Sequence, residues 1–447
     1  MADMKNLSLF FSVPALALLL LGCESAGVIQ LPTAGSSADP AQSIPGPSHP
    51  PPQTDQPPAM QPANPSPDPA NPPQRQDPVD RGSGPYTPAP PMTVPVAIDC
   101  GNGNTTVKKS GPSGNRINLI VLGDGYTAAE MTSSYPRHVQ KLIDYMDTNS
   151  LAEPYNRYRK FINVCRLDIE SSQSGVDIPD EGVSVDTAFD GQGSDRTRLG
   201  LVDETKVNTA MRSLLQGSAV DPDWVAVTLN TNRWFNSGGG LMVWAGATQN
   251  AEDVALHEGG HSFHALADEY AYGESGPFSG GEPAEVNVTA DRAGGKWQHW
   301  LGFEQTNLGA IQIYEGARYH ETNIWRPSKN SKMNQLPAYH NAVCREKMIL
   351  DLYKIIRPVD GHTPNLSPLK NPLALSIQTV DPAVFSISWK VDGQALADQT
   401  GESLPIEGLQ LARGQHQVEV EVADETPWVR KDRAKLRQTI TWTVDIL

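Results

Sequence analysis

Apolar positions along this chain fall into three regimes. The first is a run from Leu7 to Leu21, preceded by Lys5. The second, Gln30 to Met92, is proline, serine, alanine, asparagine and aspartate with almost no large apolar residue. Such a stretch cannot bury enough surface to fold, and it reads as an extended stalk. The third begins near Arg116, where short apolar runs alternate with polar and glycine-rich turns.

Within that third regime the runs predict named elements. RINLIVL, Arg116–Leu122, is a strand that breaks at Gly123, and Thr127 with Glu130 forms a capping box for a helix continuing to about Thr148. KFINVCRLDI, Lys160–Ile169, is the next strand, Leu201–Leu215 a helix, and WVAVTL, Trp224–Leu229, a strand buried on both faces. Gly238-Gly239-Gly240 precedes a short apolar strand, Leu241–Trp244, and the glycines allow close approach of another backbone. Asn250 is placed to cap a helix whose first turn carries Glu252 and Asp253. Asn341–Ile356 closes the region as an amphipathic helix. Beyond Pro358 the period changes to two: Leu375–Thr379, Val384–Val391, Gln415–Val422 and Gln438–Val444 predict a small β-sandwich. The segments are therefore 1–22, 23–96, 97–358 and 359–447: signal, stalk, α/β domain and all-β sandwich-like domain.

Composition changes the picture at three points. More than half of the 38 prolines lie between Leu31 and Val96, which reinforces the stalk. A net charge of -16 argues against nucleic-acid binding. Four cysteines are too few for a disulfide framework and are not spaced for zinc. Leu20-Leu21-Gly22-Cys23 after the first apolar run is the pattern of a bacterial lipoprotein signal, making Cys23 the lipidation site and the membrane a partner through that anchor. The implied location is the cell envelope, outer membrane or cell surface, with the folded part outside the cytoplasm. Cys100, Cys165 and Cys344 then leave room for one disulfide and one free thiol, with the pairing open.

The chemistry concentrates in NAEDVALHEGGHSFHALADEY, Asn250–Tyr270. On a helix His257 and His261 are one turn apart on one face, so both imidazoles reach one metal ion, and Glu258 sits beside it. Zinc suits imidazole and acidifies a bound water, from which Glu258 takes the proton. Gly259 and Gly260 weaken the helix by roughly 1 kcal/mol each, so packing must hold it. His264, Asp268 and Glu269 compete to be the third ligand. In a continuous helix residue 268 lies about 16 Å beyond 257, so the chain must turn after about Ala265 before Asp268 can fold back. An acid not used as ligand orients an imidazole instead.

HEGGHSFHALADEY resembles the H-E-x-G-H-S-F-x-x-L-A-D-E-Y signature of the immunoglobulin A peptidase family of zinc metallopeptidases, which belongs with the metzincins. The likeness extends through NLIVLGDGYTAAEM, SSQSGVD, KWQHW and RPSKNSKMN, roughly residues 115 to 358. It implies a metzincin-like fold, a surface-tethered zinc endopeptidase acting on extracellular protein or peptide, and the ligand set His257, His261 and Asp268. It also implies a methionine turn at Met333 beneath the metal and an edge strand at Leu241–Trp244 that docks substrate by strand addition. Ala265 stands where the family has glycine, so a turn there at positive φ is strained. Tyr319 and Tyr339 are candidate oxyanion stabilisers.

Other features have plainer readings. Asp124 fixes a turn through backbone hydrogen bonds. Asp177, Asp180, Glu181, Asp186, Asp190 and Asp195 crowd one loop, either solvated or holding Ca2+. Trp297 and Trp300 cover a core or wall the cleft. The competing functional classes are a catalytically silent binding lipoprotein engaging glycan or host protein, and a cell-wall peptide amidase.

Overall fold

Residues 117–124 form a strand buried along its whole length, and the sheet is built outwards from it. The computed structural model describes residues 85–101, 103–272 and 275–447, so the signal sequence, Cys23 and most of the stalk lie outside the described residues. The main sheet comprises β1 (Thr105–Lys108), β2 (Ile117–Asp124), β3 (Ile162–Leu167), β4 (Trp224–Leu229), β5 (Ser237–Gly238) and β6 (Met242–Ala245), in the order β1-β3-β2-β4-β6-β5. The four inner strands are parallel, whereas β1 and β5 run antiparallel at the two edges. A strand central to a parallel sheet is covered on both faces, which is why β2 and β4 read as unbroken apolar runs. Helix α1 (Ser134–Thr148) buries Tyr135, His138, Val139, Leu142, Ile143 and Met146, one stripe at helical spacing. α2 (Glu204–Leu214) buries Val207 and Met211, and its N-cap Asp203 accepts from Thr205 and Lys206.

Several boundaries differ from expectation for identifiable reasons. β2 does not break at Gly123; Gly123 and Asp124 remain paired with Thr228 and Leu229, and Gly123 is small because a β-carbon would stand 2.8 Å from the Tyr135 ring. The capping box of Thr127 and Glu130 is present, yet that helix ends at Met131 and α1 starts afresh at Ser134. The Thr132 and Ser133 hydroxyls bond back to the Ala129 carbonyl at 3.0 and 2.8 Å, competing with helix continuation. Met242 and Val243 are not edge positions: β4 pairs with them on one side and β5 on the other. The edge strand on this side is Ser237–Gly238, and Asn236 just before it is bridged to Leu199.

Helix α3 (Ala251–Ser262) is buried nearly all round, as a helix enclosed by the sheet on one side and later segments on the other must be. Asn250 does not cap it through its side chain; it takes φ 60°, a left-handed conformation asparagine tolerates, and turns the chain into the helix. The hairpin β7 (Tyr314–Ala317) and β8 (His320–Arg326) follows, then α4 (Ala342–Ile355), whose N-cap Asn341 accepts from Cys344. The remaining strands are β9 (Val359–His362), β10 (Ala374–Thr379), β11 (Ser386–Val391), β12 (Ser403–Pro405), β13 (Gly414–Ala423) and β14 (Arg437–Ile446). β9, β10 and β12 make a three-stranded sheet; β11, β13 and β14, flanked by Leu369–Lys370 and Gln394–Leu396, make a five-stranded one.

The protein is thus a mixed helix and sheet molecule with several sheets. One buried apolar cluster runs from Ile117, Leu142 and Phe161 through Leu352 to Trp389, Val420 and Trp442, crossing Pro358 without interruption. Polar ties cross there too. Arg116 pairs with Asp360 at 2.7 Å, and Asp424 accepts from Tyr158 at 2.5 Å, Tyr353 at 2.9 Å and Arg157 at 2.7 Å. Cys100 is disulfide-bonded to Cys165 on β3, and Cys344 is a buried free thiol.

Candidate metal centre and cleft

α3 delivers the two histidines as its spacing requires. Their Nε2 atoms stand 3.1 Å apart, with the rings edge to face. Each Nδ1 meets a backbone carbonyl: Lys332 O at 2.8 Å for His257 and Leu266 O at 2.6 Å for His261. A carbonyl only accepts, so Nδ1 carries a proton in both rings and Nε2 is the nitrogen turned toward Asp268, able to take either a proton or a metal.

The chain then reverses. Ala265 N–H bonds to His261 O and Leu266 N–H to Gly260 O, at 3.0 and 2.9 Å, with Ala265 at φ 51°. This is the left-handed turn that glycine would occupy without strain. It returns Asp268 to the helix face, where Oδ1 lies 3.2 Å from His257 Nε2 and 3.1 Å from His261 Nε2. Among the described residues, this is the group of histidine and carboxylate side chains that could hold a metal ion. Zinc–ligand bonds near 2.0–2.1 Å in a tetrahedron separate donor atoms by about 3.3–3.4 Å, and the two imidazoles and one carboxylate fit that spacing and donor chemistry.

The electrostatics ask for a cation. Burial pulls the His261 imidazole down, but the hydrogen bond and charge of Asp268 outweigh it and push it up to about 9. Burial would raise Asp268, and the hydrogen bonds to His257 and His261 instead hold it well below the carboxylate range. Burial lifts the Glu258 carboxyl above its ordinary value against the pull of the two imidazoles. Glu258 lines the same cleft, of about 760 Å³, as His257, His261, Asp268, Tyr270 and Tyr319.

The other contenders for third ligand have different work. Glu269 is fully buried and accepts from Ser331 Oγ at 2.7 Å, Asn287 Nδ2 at 3.0 Å and Asn341 Nδ2 at 2.8 Å, while its N–H bonds to Met333 O at 2.7 Å. It fastens the segment after the turn to the Ser331–Met333 loop and the start of α4. His264 is fully buried between the Tyr155 hydroxyl, 2.8 Å from Nε2, and Asp351, 3.0 Å from Nδ1. Met333 is buried with its sulfur 2.8 Å from where a β-carbon on Gly260 would stand. Gly259 leaves room for Trp224 in the same way, so side chains and not another backbone explain this glycine pair. The backbone approach occurs at Gly238, whose β-carbon would fall 2.5 Å from Glu258 O.

Two supports went unread in the sequence. Lys332 is fully buried and paired with Asp253, which also accepts from the Tyr145 hydroxyl at 2.7 Å. Asp253 looks like an exposed charge favouring the helix dipole, but it sits on the buried side one turn before His257. A carboxylate four residues ahead of His257, and so on the same face of the helix, is the signal that could have found it.

The remaining candidates scatter. Tyr319 lines the cleft, and its hydroxyl donates to Asp268 Oδ2 at 2.6 Å. Tyr339 bonds to Ser150 Oγ at 3.2 Å and is not among the cleft's lining residues. Asp124 accepts from the N–H groups of Phe189 and Gly191 and from Thr187, tying down the 187–191 loop and not its own turn alone. In the acidic loop Glu181 and Asp195 pair with Arg233, Asp190 pairs with Lys206 and Asp180 accepts from Ser194. Glu181, Asp195 and Asp190 thus already have cationic partners. Trp297 and Trp300 are fully buried in a separate apolar cluster.

The mixed helix and sheet fold and the His257, His261 and Asp268 group are compatible with a peptidase. Residues 105–311, just under half of the chain, match the family model described as IgA Peptidase M64. The match takes in the histidines, Glu258, Asp268 and Glu269 and stops before Met333. No curated protein matches the chain.

Proposed function

We propose that the protein is a zinc-dependent endopeptidase, with His257, His261 and Asp268 as ligands and Glu258 as general base. The observation that carries this reading is the convergence of two Nε2 atoms and one carboxylate oxygen, 3.1 to 3.2 Å apart, in a cleft that Glu258 shares. When bound, the metal supplies a Lewis acid and a water acidified to near neutrality. Glu258, in the same cleft, would be the group to accept a proton from such a water and to return it to the leaving amine. The Ser237–Gly238 edge strand lies against α3 and lines the cleft, the place for an extended peptide to add as a strand. In this reading the topology is metzincin-like with Met333 as the methionine turn, the strands after Pro358 are a sandwich-like module packed on the peptidase, and lipid on Cys23 tethers the protein at the cell envelope.

The test is metal analysis with peptide-library cleavage by the purified protein. His257→Ala is expected to lose zinc, and Glu258→Ala to keep zinc and lose cleavage by at least about 100-fold. Equal cleavage by wild type and Glu258→Ala removes the mechanism.

A further inference from the structure

The tip of the β7–β8 hairpin is built against local preference. Ala317 pairs with His320, so Arg318 and Tyr319 are its two loop residues, and both have positive φ, 47° and 69°. Turns of that kind favour Asn-Gly, and a bulky side chain there is uncommon. Strain of this sort persists where surrounding contacts over-determine it. Here Arg318 N–H bonds to Asp268 O at 3.0 Å, Tyr319 N–H to Tyr270 O at 3.1 Å and Tyr272 N–H to Tyr319 O at 3.2 Å. The tip is thereby stitched to the segment that carries the third candidate ligand, and the Tyr319 hydroxyl lands 2.6 Å from Asp268 Oδ2. The other oxygen of that carboxylate, Oδ1, faces the two imidazoles.

We propose that Tyr319 is a positioning residue that makes Asp268 a one-oxygen metal ligand, occupying Oδ2 so that the carboxylate does not close a further coordination position. The inference rests on the metallopeptidase reading above. A carboxylate with both oxygens free can chelate, whereas a hydroxyl donated to one oxygen fixes its rotation and draws its charge away from the metal. Catalysis requires a position left open, so this hydrogen bond protects the site of the reacting water. It also accounts for the strained tip: an Asn-Gly turn would be easier to form but would deliver no phenol. Tyr319 therefore acts through Asp268, not as a donor to the oxyanion.

Tyr319→Phe isolates the hydroxyl, because the ring still packs on Tyr270 and Tyr272, whose centroids lie 5.3 and 5.9 Å away. Zinc affinity, measured by competition with a chromogenic chelator, is expected to fall about 10-fold or more. The cobalt-substituted variant is expected to absorb more weakly in the visible than cobalt-substituted wild type, as four-coordination gives way to higher coordination. kcat should fall with KM little changed. A second variant, Arg318→Asn with Tyr319→Gly, should raise Tm and lose the same metal affinity. Unchanged zinc affinity and cobalt spectrum in Tyr319→Phe, or retained affinity in the double variant, overturns the proposal and leaves the metallopeptidase reading intact. Wild type that holds neither zinc nor cobalt overturns both.

Discussion

At the scale of single residues, the position of the candidate third ligand depends on an alanine held where glycine is easier. Ala265 at φ 51° is exposed, so its methyl gains little from packing while its backbone sits in the left-handed region. That conformation costs an L-residue about 1–2 kcal/mol, against roughly 0.5–1 kcal/mol of extra unfolded-state entropy for glycine. Ala265→Gly is therefore expected to raise unfolding stability by about 0.5–1 kcal/mol without weakening zinc binding, as read by urea titration with and without metal. A loss of stability would mean that the methyl does more than the geometry suggests. The need for a reversal at this residue was legible, since a straight helix carries Asp268 out of reach. What Lys332 contributes was not, because its partner Asp253 and the imidazole its carbonyl holds lie 79 and 75 residues away. No local pattern in a sequence encodes a contact of that span.

Among elements, α3 shows why period alone was an incomplete guide. A helix buried on nearly every side has no polar face to mark its orientation, so the sequence indicated where it lies without showing what packs against Gly259 and Gly260. Gly259→Ala tests the packing. Helix propensity favours alanine by roughly 1 kcal/mol, but its β-carbon would lie 2.5 Å from the Trp224 ring, which is itself stacked between Tyr155 and Phe263 at 5.7 and 5.1 Å. Overpacking of this kind costs about 1–3 kcal/mol, so the net effect expected is destabilisation, measurable as a lower urea midpoint. A gain in stability would show that Trp224 is free to move. The long runs β2 and β4 were legible because burial on both faces leaves a plain signature; α4 lies where expected, but it buries ten of its fourteen residues, Arg345, Glu346 and Asp351 among them, and is not the amphipathic helix its sequence suggested. Ser237–Gly238 was not, because two residues carry no period, and so the edge was assigned one strand too far along.

For the whole molecule, the boundary at Pro358 marks a change of period more than a gap in the core. Cutting there would strip Asp424 from Tyr158, Tyr353 and Arg157, Asp360 from Arg116, and the stacked Phe385 from Phe161. Buried groups left without partners cost about 1–3 kcal/mol each, in addition to the exposed apolar surface. A chain ending at residue 358 is expected to lose cooperative unfolding, whereas residues 85–447 should unfold in one calorimetric transition. Two resolved transitions, with the shorter chain folded, would restore independent domains.

The stretch at the start of the described residues has a mechanical consequence. Thr87 is clamped between Asn371 and Leu373 by two backbone hydrogen bonds of 2.8 Å, and Cys100 is bonded covalently to β3. A pull arriving along the chain from its N-terminal side meets these two fastenings in turn. The first passes the load to the far strands and the second to β3, on the side of the sheet remote from β5. The histidine pair and its opposing carboxylate would keep their spacing under such a pull.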